Sequence, residues 1–139
     1  MDRPLVHYSA IKWDFKRWPN FHPKEFASPD NGMVRYWPEF YDRLQFARTQ
    51  IGKPFKINSA YRSWRYNLKV GGAPRSEHKR LALDVSLRGH NRHELHRALR
   101  LAGFKGFGFY QTFIHVDLGR KRFWYGGEFS KKAWSNGSS

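Results

Sequence analysis

The segment that most constrains the fold is LALDVSL, residues 81–87, an apolar run that contains one acidic side chain. Alternation with period two places Asp84 on one face of a strand and the aliphatic side chains on the other. Those aliphatic residues are Leu81, Leu83, Val85 and Leu87. An ionised carboxylate in such a run is costly to desolvate unless it faces a charged partner, a metal or a water-filled cleft. The segment therefore predicts a strand with a polar site on one face.

A second segment, TFIHVDLG at residues 112–119, alternates in the same way, and its non-aliphatic face carries Phe113, His115 and Asp117. His78 precedes the first strand by a few residues, so His78, Asp84 and His115 could converge at one point. Three protein ligands with one open position form the arrangement of a catalytic zinc site. The alternative is that these are ordinary surface or hydrogen-bonded histidines, as most histidines are.

The remaining pattern indicates a single domain that contains both helices and strands. Apolar residues recur at helical spacing over residues 38–51, and Gly52 follows as a stop signal. A second helix is predicted over residues 91–103, with Asn91 as its N-cap. Residues 55–61, FKINSAY, alternate like a strand.

We divide the chain into three regions. Residues 1–35 are rich in turn signals and aromatic side chains, which predicts an irregular segment packed on the domain. Residues 36–128 form the expected core, and residues 129–139 form a C-terminal tail. The aromatic side chains expected to pack the first region onto the core are Trp13, Phe15, Trp18, Phe21 and Phe26.

Composition narrows the classes of function. The absence of cysteine excludes thiolate metal sites, a cysteine nucleophile and disulfides. With 26 Lys and Arg against 11 Asp and Glu, the formal net charge is +15, which favours polyanionic partners such as nucleic acid, an anionic membrane or a bacterial cell wall. No nucleic-acid-binding motif accompanies this charge. No apolar run has the length of a signal peptide or a membrane span, so we expect a soluble product.

Two further clusters offer alternative sites. The segment HNRHELH contains several potential ligands, but their helical positions are expected to point to solvent, away from the leucine stripe. These residues are His90, His93, Glu94 and His96. The aromatic residues at 123–125 would line a sugar or peptide groove or, as we expect, close an edge of the core.

From about residue 21 to residue 118 the chain resembles zinc peptidases of the M15 type, the group of D-alanyl-D-alanine carboxypeptidases and phage endolysins related in fold to the hedgehog domain. The matching segments, in the order of the family, are FHPKEFASPDNG, IGKPFKINSAYRS, YNLKVGGAPRSEH, ALDVSL and GFGFYQTFIHVDLG. The resemblance implies an α+β fold in which a small antiparallel sheet is flanked by helices. It also implies a Zn²⁺ cofactor.

The resemblance assigns roles to individual residues. It implies that His78, Asp84 and His115 are the zinc ligands. It further implies that Arg62 and Ser76 contact the substrate, with Arg62 stabilising a substrate carboxylate or the developing oxyanion. An arginine fork matches the geometry of both anions.

The sequence departs from the family pattern at two places. The usual motif is S-x-H-x-x-G-x-A-x-D, whereas here the turn between His78 and Ala82 is one residue shorter and lacks the glycine. Many relatives carry a glutamate three residues before the third ligand, or a histidine two before it, as general base, and this chain has Thr112 and Phe113 there. Asp117 is then expected either to carry protons or to anchor a ligand.

Together these features predict a zinc peptidase that hydrolyses peptide bonds in peptidoglycan stem peptides, as a D,D-carboxypeptidase or an endopeptidase. We expect it to be made in the cytoplasm without a signal peptide and to act on the wall after release, or within a phage, prophage or gene-transfer particle. One alternative is an inactive relative that binds the wall or has a structural role in such a particle. Another, nucleic-acid binding, rests on charge alone and is not favoured.

Overall fold

A five-stranded sheet organises the computed structural model, which describes residues 3–71 and 81–135. The strands lie in the order β3–β4–β6–β5–β7, and only β5 and β7 pair in parallel among these neighbours. They are β3 Ile57–Ser59, β4 Ala82–Ser86, β5 Gly106–Phe109, β6 Phe113–Asp117 and β7 Arg122–Tyr125. The expected α+β class is confirmed, and the parallel pair is the one departure from an antiparallel sheet.

Four α-helices accompany the sheet in the described ranges: α1 Pro38–Ile51, α2 Trp64–Lys69, α3 Arg92–Leu101 and α4 Glu128–Ser135. Helix α1 has the predicted bounds, because Pro38 suits its first turn and Gly52 adopts the left-handed conformation, with φ of 70°, that ends it. Asn91 caps α3 by accepting hydrogen bonds from two backbone N–H groups, as predicted. Helix α4 occupies the segment expected to be a tail. None of the described helices is long and apolar enough to cross a bilayer.

Strands β4 and β6 have the two faces predicted from their alternation. Their aliphatic residues Leu83, Val85, Ile114 and Val116 are fully buried in the core. Helices α1 and α3 pack against each other, and their apolar residues belong to the same core. Asp84, His115 and Asp117 lie on the opposite face, so the period-two pattern alone determines which residues can form a polar site.

The N-terminal region contains a small sheet of its own, in which β1 Leu5–His7 pairs antiparallel with β2 Met33–Arg35. Its aromatic residues Trp13, Trp18, Phe21 and Phe26 are buried as expected. Phe15 is 55% exposed, so the expectation that it packs on the core is wrong. The short turn that contains Phe15 directs the ring to the surface, where it contacts His22.

The expectation that the histidines of α3 point to solvent is also wrong. His96 contacts the rings of Phe107 and Phe109 edge-on, with centroid distances of 4.7 and 4.9 Å. His93 contacts Trp134 of α4 at 5.5 Å. Strand β5 and helix α4 cover this flank of α3, and neither element was predicted from the sequence.

Strand β7 forms one edge of the sheet and divides its side chains between the two faces. Arg122 and Trp124 lie opposite Gly106 and Gly108 and reach towards β6. Phe123 and Tyr125 lie on the other face and are 65% and 38% exposed. The expectation that residues 123–125 close an edge of the core is therefore wrong for these two side chains.

The contrast between Phe26 and Phe15 gives a test of this packing. Phe26→Ala should lower the free energy of unfolding by about 3–5 kcal/mol, because a fully buried ring is replaced by a cavity. Phe15→Ala, the matched control in the same region, should change it by no more than about 0.5 kcal/mol. Urea denaturation measures the free energy of unfolding of both variants. Similar losses of stability in the two would contradict the burial of Phe26 and the exposure of Phe15.

Candidate metal centre

Asp84 and His115 face each other across the centre of the sheet. They are directly paired residues of the antiparallel strands β4 and β6, and Asp84 Oδ1 lies 3.3 Å from His115 Nδ1. Their side chains are 16% and 8% exposed, so the site is largely shielded from water. The pairing register thus brings together two of the three ligands predicted from the sequence.

The spacing of these two atoms fits a shared zinc ion. Two ligands of a tetrahedral zinc, at bond lengths of about 2.0–2.2 Å, are separated by about 3.3–3.6 Å. Imidazole nitrogen and carboxylate oxygen are both ordinary zinc ligands. His78 and Ser76 lie outside the described residues, and within the described ranges no group of three or more ligating side chains converges.

Asp117 binds the other side of the His115 ring. His115 Nε2–H donates a hydrogen bond of 2.7 Å to Asp117 Oδ2, and both terminal nitrogens of Arg122 donate to the carboxylate at 2.8 Å. The backbone N–H of Gly119 supplies a further bond of 2.9 Å. Because Asp117 holds a proton at Nε2, Nδ1 is the nitrogen that faces Asp84 and that would bind a metal once it has lost its own proton.

The charge state of Asp117 follows from these contacts. Burial disfavours its ionised form, but hydrogen bonds from His115 and Arg122 outweigh that effect and hold the pKa of Asp117 well below its usual range. A carboxylate with so low a pKa is a weak base, and both of its oxygens are already hydrogen-bonded. The contacts therefore favour the anchoring role over the proton-carrying role.

The charge state of His115 is set by opposing effects. Burial lowers the pKa of its imidazole, but hydrogen bonds to Asp117 and Asp84, together with their charges, outweigh burial and raise this pKa above the usual value. Metal binding at Nδ1 requires that nitrogen to be deprotonated, so ligation and protonation compete.

Two glycines of β5 make room for this arrangement. A Cβ atom at Gly106 would overlap the side chains of Asp117 and Arg122, and one at Gly108 would lie 2.6 Å from the indole of Trp124. Trp124 consequently crosses the strand and lies 5.0 Å from the His115 ring, centroid to centroid. Sequence reasoning missed this role, although glycine at alternate positions of the GFGF segment is the signal of a close approach on one face.

Arg62 belongs to a separate cavity of about 240 Å³ beside the start of the sheet. The cavity is also lined by Ser59, the residue of β3 that pairs with Asp84. The Nε atom of Arg62 is buried and has no hydrogen-bond partner among the described residues. Since buried donors are normally satisfied, this one is suited to receive an anionic ligand.

The loop that carries Arg62 is fastened by a hydroxyl and carboxylate network. Ser63 Oγ donates to Asp30 Oδ2 at 2.6 Å, and the backbone N–H of Ser63 donates to Ser28 Oγ at 2.9 Å. The hydrogen bonds from Ser28 and Ser63 lower the pKa of Asp30. Ser63 Oγ also accepts a bond from the Tyr66 N–H, which caps α2. This network links the N-terminal region to Arg62, and nothing in the local spacing indicated it.

Comparison with known protein families gives a match over most of the chain. A family model described as peptidase M15 matches residues 19–117, well over half of the chain. The chain belongs to the peptidase M15 family. Members of this family are generally zinc-dependent. The match spans Asp84, His115 and Asp117, whereas Arg122 and Trp124 lie beyond its end. A comparison with curated proteins gives no match.

The Asp117 contacts lead to a prediction about His115 in the metal-free peptidase. Asp117→Asn keeps the shape of the side chain but removes its charge, so the pKa of His115 should fall, because burial then acts against a weaker opposing attraction. NMR titration of the imidazole measures this pKa. Asp42→Asn, which removes a surface carboxylate paired with Arg17, is the control and should leave His115 unchanged. An unaltered His115 pKa in Asp117→Asn would contradict the assigned contact.

Proposed function

We propose that the protein is a zinc-dependent peptidase that hydrolyses peptide bonds in the stem peptides of bacterial peptidoglycan. The observation that carries the proposal is the Asp84 and His115 pair, spaced 3.3 Å apart in a chain of the peptidase M15 family. His78, Asp84 and His115 would hold the ion. When bound, zinc supplies Lewis acidity, which lowers the pKa of a water molecule and polarises a carbonyl group.

In this proposal Asp117 and Arg122 keep His115 in its ligating form. Asp117 retains the proton at Nε2 and so directs Nδ1 to the ion, and the Arg122 fork fixes Asp117 in turn. Such anchoring carboxylates typically contribute about 10–100-fold to metal affinity or activity. The anchoring role proposed for Asp117 also accounts for its burial, since it is only 1% exposed.

Arg62 is proposed to bind a carboxylate of the substrate or the oxyanion that develops during hydrolysis. Its Nε is buried and has no hydrogen-bond partner in the described part of the chain, and a hydrogen-bonded loop holds it in place; both observations support this role. Ser76 is proposed as a further substrate contact on the basis of the family resemblance. A preorganised cation at the position of developing negative charge stabilises the transition state.

The charge of the molecule supports the wall as its place of action. A net charge of +15 favours accumulation on a polyanion that carries carboxylates and phosphates. We extend the proposal to a lytic role of the kind that phage endolysins of this family perform, in which the peptidase acts on the envelope after release or as part of a particle.

The first test is metal content together with digestion of purified sacculi. Untagged wild-type protein should contain about one zinc per chain, and Asp84→Ala and His115→Ala should lose it, since each removes a ligand. Release of new amino groups from sacculi should fall by at least about 10³-fold in both variants, because the Lewis acid is lost. Elemental analysis and amino-group labelling measure the two effects.

The control is His90→Gln, which alters the histidine-rich segment but leaves the sheet intact and should keep both zinc and activity. Zinc that persists in Asp84→Ala would disprove the ligand assignment. If the protein binds stoichiometric zinc but hydrolyses no stem-peptide bond, the proposal of an active peptidase is wrong, and the protein is an inactive relative that binds the wall. The shortened turn and the absence of the usual base also favour that alternative.

A second test concerns Arg62. Arg62→Gln should lower kcat/KM by roughly 10²-fold on substrates with a free terminal carboxylate, because a charge-assisted hydrogen bond is lost. On the same peptides with an amidated terminus, the variant and the wild type should differ little. Arg65→Gln, an exposed arginine of the adjoining helix, is the matched control. Equal losses on both substrates would instead assign Arg62 to oxyanion stabilisation or to folding.

A further inference from the structure

A groove of about 630 Å³ lies on the face of the sheet opposite Asp84 and His115. It runs between α3, α4 and the edge formed by β5 and β7. Its apolar lining is aromatic and consists mainly of Phe107, Phe109, Phe123, Tyr125 and Trp134. The volume falls within the range of roughly 300–1,000 Å³ that is typical of small-molecule sites.

The aromatic rings form a floor and an open rim. Phe109 is 7% exposed and contacts Trp134 at 4.6 Å, Tyr125 at 5.4 Å and Phe123 at 6.0 Å between ring centroids. Phe123 and Tyr125 are the exposed members at 65% and 38%. Exposed apolar surface that is rimmed by polar side chains is typical of ligand-binding grooves.

The charges around the groove have a single sign. Its charged lining residues are Arg100, Lys105, Lys121 and Arg122, and no carboxylate lines it among the described residues. Arg122 is paired with Asp117, whereas the other three form no ion pair within the described ranges. Burial lowers the pKa of His96 to about 4, so this histidine is neutral at pH 7. The groove thus combines a neutral apolar floor with a cationic rim.

We propose that this groove binds one free amphipathic carboxylate of small-molecule size. Its apolar body would lie on Phe109 and Trp134, and its carboxylate would meet Arg100, Lys105 and Lys121. Charge-assisted hydrogen bonds to such cations are stronger than neutral ones, and they select the anion. The groove lies on the opposite face of the sheet from the proposed peptidase centre, although Arg122 borders both.

Shape and charge favour a single small molecule over larger partners. A bilayer presents a flat surface and leaves a concave groove unfilled, whereas one acyl chain or ring system occupies it. A second copy of the chain would bring another molecule of net charge +15 against the same cationic rim. An amphipathic anion matches both the apolar floor and the cations of the rim, which have no ion-pair partner among the residues described.

The experiment compares decanoate with 1-decanol, which has the same chain length and no charge, by isothermal titration and amide NMR on the full chain. Decanoate should bind at least about 10-fold more tightly, because only the anion gains charge-assisted hydrogen bonds. The shifts should concentrate on the Trp134 indole N–H and on the amides of β5 and β7. Decyltrimethylammonium, a cation of equal chain length, should bind most weakly.

Paired variants at exposed positions separate the two parts of the groove. Lys105→Glu with Lys121→Glu should abolish the preference for decanoate over decanol, whereas Lys131→Glu, outside the groove, should keep it. Phe123→Ser should weaken both ligands by at least about 3-fold, since apolar contact area is lost. Phe129→Ser is its control, because Phe129 is 75% exposed and does not line the groove.

Several results would overturn the proposal. Equal affinities for decanoate and decanol would show that the cations do not contribute to binding. Equal losses of affinity in the target and control variants would show that the ligand does not bind in the groove. Binding to phosphatidylglycerol vesicles without binding of free decanoate would assign the face to a membrane. Saturable binding of an acidic peptide, again without decanoate, would assign it to a protein partner. Since all the substituted side chains are exposed, an unchanged amide spectrum elsewhere confirms that the variants are folded.

Discussion

The arrangement of the site depends on one buried chain of ionic hydrogen bonds, which runs from Arg122 through Asp117 and His115 to Asp84. Each member satisfies a neighbour that would otherwise be a costly buried charge. The chain crosses three strands, because Arg122 belongs to β7, Asp117 and His115 to β6, and Asp84 to β4. Removing any one member therefore affects the ionisation or the orientation of the others. A buried polar network that has lost one partner is less stable than a complete one, so the contribution of each member depends on the presence of the others.

The sheet separates two environments, because successive side chains along each strand point to opposite faces. On one face the polar chain and the candidate metal ligands are held close together, with glycine at two positions of β5 so that Arg122 and Trp124 can approach. On the other face the aliphatic residues of β4 and β6 enter the core, and the aromatic residues of β5 and β7 continue beyond it into the groove. Helix α3 packs on β5 through His96, helix α4 contacts β5 and β7, and the groove lies between these elements. The same period of two thus separates the candidate metal ligands from the core and from the surface groove.

Sequence reasoning succeeded where the signal was local and failed where it was not. The bounds of α1, the Asn91 cap and the two faces of β4 and β6 follow from periodicity and capping chemistry, which operate over a few residues. Phe15 and His96 were misassigned because their exposure depends on elements distant in sequence. Arg122 was missed altogether, since a lone arginine among 26 basic residues carries no local signal. Its role is visible only once β7 lies beside β5, with Gly106 opposite it.

The sequence by itself determined which side chains are available to the site. Successive side chains of a strand point to opposite sides, so the alternation within residues 81–87 and 112–119 places Asp84, His115 and Asp117 on the face opposite the aliphatic residues. Only the tertiary structure decided how they are used. The register of β4 against β6 sets the Asp84 and His115 atoms 3.3 Å apart, and the parallel pairing of β7 brings Arg122 to Asp117. Strand register depends on contacts between segments far apart in the chain, and these contacts leave no periodic trace in either segment alone.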